Sequence, residues 1–240
     1  MMSDHRNKRV YVLATSRSWN EEMTEHLAAR TGRDFVLITS KEDLTIENLT
    51  SVNPEVIFFP HWSYRIDASV FARFESVIFH MTDLPFGRGG SPLQNLIVRG
   101  IDKTKISALR CVEEMDGGPI YLKKSLSLYG SAEEIFLRAS KMIEEMIVEI
   151  LEKKLEPIAQ QGEPTLFKRR RPEESNLTSA SSLDQLFDMI RMLDAEGYPK
   201  AFLEVGDFRL EFTRAARKQG QVIADVRITL VKEKKESRHD

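Results

Sequence analysis

His80 closes a short apolar run, Val77-Ile78-Phe79, and a carboxylate, Asp116, stands in the turn Asp116-Gly117-Gly118-Pro119 before another apolar run. An imidazole can take up or release a proton near neutral pH, and a carboxylate beside it holds the ring's orientation. Both residues are placed where strands end, and open α/β sheets gather their chemistry in the loops beyond strand ends. The pair could therefore converge on one crevice. Each also has a plainer use, His80 as the cap of a strand and Asp116 as the maker of an Asx-turn.

Alternating elements must position these residues. Val10-Tyr11-Val12-Leu13-Ala14 reads as a buried first strand, followed by Thr15-Ser16-Arg17-Ser18-Trp19-Asn20 and a helix through Arg30. Residues 35–38, 56–59 and 77–79 are further apolar runs, separated by helix-compatible sequence. That alternation predicts an α/β, Rossmann-like domain with a mostly parallel sheet. Residues 106–111 and 120–126 add two strands around the Asp116 turn, and a helix is expected to start at Pro92. Ser131 and Glu134 fit a capping box, after which Ile135, Phe136, Met142, Ile143, Met146, Ile147 and Ile150 recur at helical spacing. The expected organisation is a catalytic domain over 1–155, a linker or strap over 156–182, a small C-terminal α+β module over 183–232 and a charged tail over 233–240. The module comprises a helix from Leu183 and antiparallel strands in which Val222, Ala224, Val226, Ile228 and Leu230 alternate with polar residues.

Composition narrows the function classes. With 240 residues, 41% hydrophobic and 30% charged, the chain reads as globular. A formal net charge of −2 gives no whole-surface attraction to nucleic acid or anionic lipid. One cysteine, Cys111, rules out an intrachain disulfide and argues against a cysteine zinc site, and no residues show metal-ligand spacing. No apolar run approaches the ~20 residues of a membrane span, and the polar start MMSDHRNKR does not read as a signal peptide. A reducing cytoplasm is expected.

Ile78-Phe79-His80-Met81-Thr82-Asp83-Leu84-Pro85-Phe86-Gly87-Arg88-Gly89, with Asp116-Gly117-Gly118 downstream, resembles the formyltransferases that use N10-formyltetrahydrofolate. These include the glycinamide ribonucleotide, methionyl-tRNA and nucleotide-sugar enzymes, whose pattern is roughly N-x-H-x-S-L-L-P-x-x-R-G followed by Asp-x-Gly. Pro60-His61-Trp62-Ser63-Tyr64-Arg65-Ile66 is similar to the S-F-Y-Y-R segment of the sugar enzymes. Phe167-Lys168-Arg169-Arg170-Arg171-Pro172 and Ile190-Arg191, with Tyr198-Pro199-Lys200-Ala201-Phe202, resemble later family elements. The likeness runs from residue 10 to about residue 202.

The resemblance implies a formyltransferase with N10-formyltetrahydrofolate as co-substrate and no metal, His80 and Asp116 being catalytic. It implies folate held by Tyr64, Arg65, Ile66, Val112, Glu113 and Met115, largely through backbone; Arg65 could equally be an ordinary surface arginine. Ser16, Arg17, Trp19, His61, Thr82 and Gln94 are the candidate substrate residues. Arg17 could pair a diphosphate and Trp19 could stack on a base, or Ser18 or Asn20 could simply cap a helix. The acceptor it points to is a nucleotide-linked amino sugar, with a lean to a UDP-linked 4-amino-4,6-dideoxy sugar of the pseudaminic-acid type in surface glycan synthesis. No nucleic-acid or membrane partner is expected, and the C-terminal strands could supply a homodimer contact. One departure stands out: Ile78 occupies the place of the family's asparagine, whose amide donates to the formyl oxygen, and losing such a donor elsewhere costs about 3–4 kcal/mol. His61, Trp62, Gln94 or Asn95 could take over. Two other readings stay open: a methionyl-tRNA formyltransferase variant binding RNA through residues 168–171, a run that could also be solvated linker, and a binding protein without turnover.

Overall fold

Residues 9–231 are described by the computed structural model; the expected charged tail lies outside them. β1 (Val10–Ala14) is covered on both faces, Tyr11 and Leu13 facing one core and Val12 and Ala14 the other. Both-face burial explains why its sequence is apolar throughout rather than alternating. From β1 the chain runs through α1 (Met23–Thr31), β2 (Asp34–Ile38), α2 (Ile46–Val52), β3 (Ile57–Phe59), α3 (Ala68–Arg73) and β4 (Ser76–His80). These four strands pair in parallel. Met23 and Leu27 of α1 join the first core, whereas Leu49 of α2 and Val70 of α3 join the second, so the crossovers lie on opposite faces of the sheet.

After β4 come β5 (Arg88–Gly89), α4 (Pro92–Ile97, with proline in its first turn), β6 (Lys103–Arg110) and β7 (Ile120–Ser127). The six-stranded sheet has the order β2-β1-β3-β4-β6-β7. β6 runs antiparallel to both its neighbours, which makes the sheet mostly parallel. α5 (Ala132–Lys153) begins at the expected capping box: Ser131 Oγ accepts from Glu134 N–H, and the Glu134 carboxylate accepts from Ser131 N–H. Its apolar stripe, including Ile135, Ile143, Met146 and Ile147, is fully buried on the first core, each such side chain contributing about 1.5–3 kcal/mol.

β8 (Leu166–Phe167) pairs in parallel with β5, which ties the segment after α5 to the loop after β4. α6 (Leu183–Arg191) then leads into a three-stranded antiparallel sheet of β9 (Ala201–Val205), β10 (Phe208–Lys218) and β11 (Gln221–Leu230), in the order β11-β10-β9. Among the described residues no helix is long and apolar enough to cross a membrane.

Candidate active site

The sheet order places β1 and β3 side by side, with their following crossovers on opposite faces. At such a switch the loops beyond the two strands part and leave a crevice. The loops after β1, β3 and β4 open onto a cleft of about 590 Å³. The turn between β6 and β7 reaches it by a different route. Register puts Arg110 beside Val77, and Cys111 N–H donates to Ser76, so the turn starts at the far end of β4 and must fold back to meet His80. Its sequence permits this. Asp116 has φ 52°, and a Cβ on Gly118 would lie 1.8 Å from the Arg110 carbonyl oxygen, so only glycine fits there.

His80, the last residue of β4, is 8% exposed and lines the cleft. Its Nε2 lies 2.8 Å from the Gly87 carbonyl oxygen, which can only accept, so Nε2 carries a proton. Its Nδ1 faces Asp116 Oδ2 at 3.5 Å. The same Oδ2 accepts the Gly89 N–H at 2.8 Å. In neutral His80 the free lone pair is therefore on Nδ1; once that atom is protonated, both ring N–H groups point at acceptors. The geometry suits a group that receives a proton at Nδ1 and passes it on.

Two residues that sequence reasoning left out of the site fix this arrangement. The guanidinium of Arg88, itself 8% exposed, donates to Glu114 at 2.6 Å and to Gln160 Oε1 at 2.8 and 3.2 Å. Gln160 Nε2 in turn donates to the carbonyls of Asp116 (2.7 Å) and Gly118 (2.8 Å). Arg88 was visible as the arginine of the Arg-Gly element; nothing around Gln160 announced it.

The expected folate residues Tyr64, Arg65, Ile66, Val112, Glu113 and Met115 all line the cleft, as do Ile78 and Trp62. Of the expected substrate residues, Arg17, Trp19 and His61 line it as well. Ser16 acts from behind, its hydroxyl donating to the His61 carbonyl at 2.8 Å and lying 2.9 Å from Ser63 Oγ. Thr82 and Gln94 do not reach the cleft, which corrects their expected place. Thr82 is fully buried with its hydroxyl directed to Gly87 O, and Gln94 donates to the Met192 carbonyl at 3.0 Å.

At the end of the cleft nearest β1, Trp19, Phe136 and Tyr198 form a stack, with ring centroids 6.2 and 5.3 Å apart. The Arg17 guanidinium lies 5.6 Å from the Trp19 ring and 5.0 Å from that of Tyr198. Arg169 lines the same cleft. Phe136, Tyr198 and Arg169 come from distant parts of the chain, and no local spacing marks them as site residues. His61 packs edge-on against Trp19 and Phe136; burial, reinforced by the Arg17 charge, lowers its pKa to about 4 and keeps it neutral at pH 7. Burial, with the Asp116 charge adding to it, pushes the Cys111 thiol up to about 11, so it is no thiolate nucleophile. Among the described residues no group of three or more His, Cys, Asp or Glu is arranged to hold a metal ion.

Comparison with known proteins locates this fold. A family model described as the C-terminal domain of methionyl-tRNA formyltransferase matches residues 172–229. The methionyl-tRNA formyltransferase of Thermotoga maritima is 32% identical over 120 residues, 48% of this chain but only 38% of that protein. The match thus spans well under half of the curated relative. A solved structure described as a methionyl-tRNA formyltransferase from Clostridium thermocellum is 50% identical, with a TM-score of 0.90 over 93% of this chain and 100% of that one. A sugar N-formyltransferase from a Shewanella species shares the fold at 12% identity, with a TM-score of 0.66 over 88% of this chain and 98% of that one.

Proposed function

The chain belongs to the formyltransferase family, and from that premise we propose that it moves a formyl group from N10-formyltetrahydrofolate to the amine of a nucleotide-linked amino sugar. The observation that carries formyl transfer is the His80–Asp116 pair facing each other at 3.5 Å on the wall of a cleft of about 590 Å³. The folate supplies the formyl group as an amide-like donor. Backbone groups of residues 64–66 and 112–116 hold its pterin edge, whose donors and acceptors alternate like those of a peptide. The acceptor amine attacks the formyl carbon and gives up a proton to His80 Nδ1. Asp116 lies opposite the resulting N–H, and Gly87 keeps the other ring nitrogen in place. The C–N bond to the folate nitrogen then breaks as His80 returns the proton to that nitrogen, which restores the neutral ring.

The acceptor end favours a nucleotide. Arg17 and Arg169 offer charge to a diphosphate, and the Trp19 and Tyr198 rings offer faces to a base. UDP- and TDP-linked amino sugars are the first acceptors to try. The second reading, methionyl-tRNA as acceptor, draws on the Thermotoga and Clostridium relatives and on the exposed cations Lys168, Arg169 and Arg171. Release of unformylated folate, followed by absorbance with a panel of amino sugars and charged tRNA, separates the two. Turnover with a sugar, lost in His80→Ala while the fold is kept, supports the first reading. Turnover with tRNA alone, suppressed steeply by salt, supports the second. No turnover with any amine would leave a binding protein.

We also propose that a second copy of the chain packs on the C-terminal sheet. Val205, Phe208, Val226, Ile228 and Leu230 share one face by register and remain 45–70% exposed. They offer roughly 500 Å² of apolar surface, near the upper end for a monomer and more than half of the ~800 Å² each partner gives to a stable interface. Among the described residues β11 is also an edge strand, and its outer backbone groups could pair with its symmetry mate.

A further inference from the structure

Attack on the formyl carbon puts negative charge on the formyl oxygen, and a donor has to meet it. Ile78, which points to the same side of β4 as His80, has none to give. Four side chains are candidates to replace the missing amide, and the structure separates them. Gln94 Nε2 is committed to the Met192 carbonyl. Asn95 Nδ2 is committed to three carbonyls, those of Gly90, Ser91 and Lys168, at 2.9–3.1 Å. His61 Nε2 has no partner, but the ring packs at the other end of the cleft, against Trp19 and Phe136. Among the described residues, Trp62 Nε1 is also buried without a partner.

Trp62 is the candidate that shares a wall of the cleft with Ile78. Phe59 is the cross-strand partner of Ile78, and the Trp62 ring meets Phe59 edge-on at 5.9 Å. Trp62, Ile78 and Ile66 pack on the same core, on the folate side of the cleft. An indole N–H is a donor only and never changes protonation state. Left buried and unpaired it forgoes a hydrogen bond, which an accepting oxygen in the cleft would restore. We propose that Trp62 is the residue that donates to the formyl oxygen, its indole N–H serving where Ile78 cannot. Because Nε1 is covered, the ring, which meets Phe59 and Tyr64 edge-on, would have to turn about its side-chain bonds to present it.

This inference rests on the formyl-transfer reading, and its test uses a readout independent of turnover. The chain has two tryptophans, so its 15N spectrum has two indole N–H resonances, and Trp62→Phe assigns them. A non-transferable formylated folate analogue is expected to move the Trp62 resonance, and the unformylated folate to leave it in place. In turnover, Trp62→Phe keeps the ring but lowers kcat about a hundredfold with little change in the KM for folate. Adding Ile78→Asn to that variant is expected to recover much of the loss. A Trp62 resonance indifferent to the formyl group, or a Trp62→Phe enzyme with undiminished kcat, would overturn the proposal. A wild-type chain inactive on every amine would sink the parent reading and leave the resonance to decide this one.

Discussion

Asp116→Asn separates charge from shape at the centre of the site. Asp116 sits at φ 52°, a backbone region that asparagine tolerates and alanine resists. The oxygen that accepts the Gly89 N–H is the same Oδ2 that faces His80, so the amide oxygen of the variant can inherit both positions. What disappears is a negative charge 3.5 Å from Nδ1, between side chains only 9% and 12% exposed. Two unit charges at that distance attract by about 5 kcal/mol at an effective dielectric of ~20. With the amine's proton about half transferred at the barrier, about 2.4 kcal/mol of this is lost, or roughly 60-fold in kcat. The assay is steady-state release of unformylated folate at saturating acceptor, with a thermal melt to show that the turn has kept its shape. The KM for folate should stay within a few-fold, since the proposed pterin contacts are to backbone. A kcat within about twofold of wild type would refute the claim that Asp116 stabilises a proton arriving at Nδ1.

Three further outcomes are expected. Arg17→Gln should raise the KM for a nucleotide-linked acceptor by at least about tenfold while leaving the KM for folate unchanged, because charge-assisted contacts to phosphate contribute roughly 1.5–3 kcal/mol; initial-rate kinetics in both substrates check this. His61, with its pKa lowered to about 4 by burial, binds a proton more readily unfolded than folded. Its contribution to stability is therefore complete above pH ~6.5 and is lost as pH falls toward ~4, at most ~3 kcal/mol; denaturant titrations of wild type and His61→Phe should diverge only in that window. Ile228→Asp with Leu230→Asp should yield a monomer in sedimentation at concentrations where the wild type pairs, with turnover of the isolated chain intact.

The strands were legible because parallel pairing buries both faces, which leaves apolar runs such as 10–14 and 57–59 with little else to become. The capping box at Ser131 was legible because it is a local pattern with a local cause. His80 and Asp116 could be singled out as a pair, yet their meeting depends on the Asp116 turn folding back along β4, which only the glycines hint at. Thr82 and Gln94 show where proximity in sequence misleads. Thr82 lies two residues beyond His80, but the strand has ended and the alternation with it. Gln94 sits in a helix whose short inner face turns toward Met192. Phe136, Tyr198 and Gln160 were hidden as site residues for a simpler reason: Phe136 and Tyr198 reach the cleft, and Gln160 the Asp116 turn, from distant parts of the chain, and a contact made only by tertiary packing leaves no local mark.

The pairing of β5 with β8 has a consequence for when the protein becomes competent. Thr165 accepts the Gly87 N–H at its hydroxyl and the Arg88 N–H at its carbonyl, and Gln160 grips the Asp116 turn. The His80–Asp116 pair is thus held in alignment by a stretch translated well after it. A nascent polypeptide emerging from the ribosome could complete its six-stranded sheet and still be inert until that later stretch arrived to dock. Alignment of His80 with Asp116 would then be complete only once that stretch had docked.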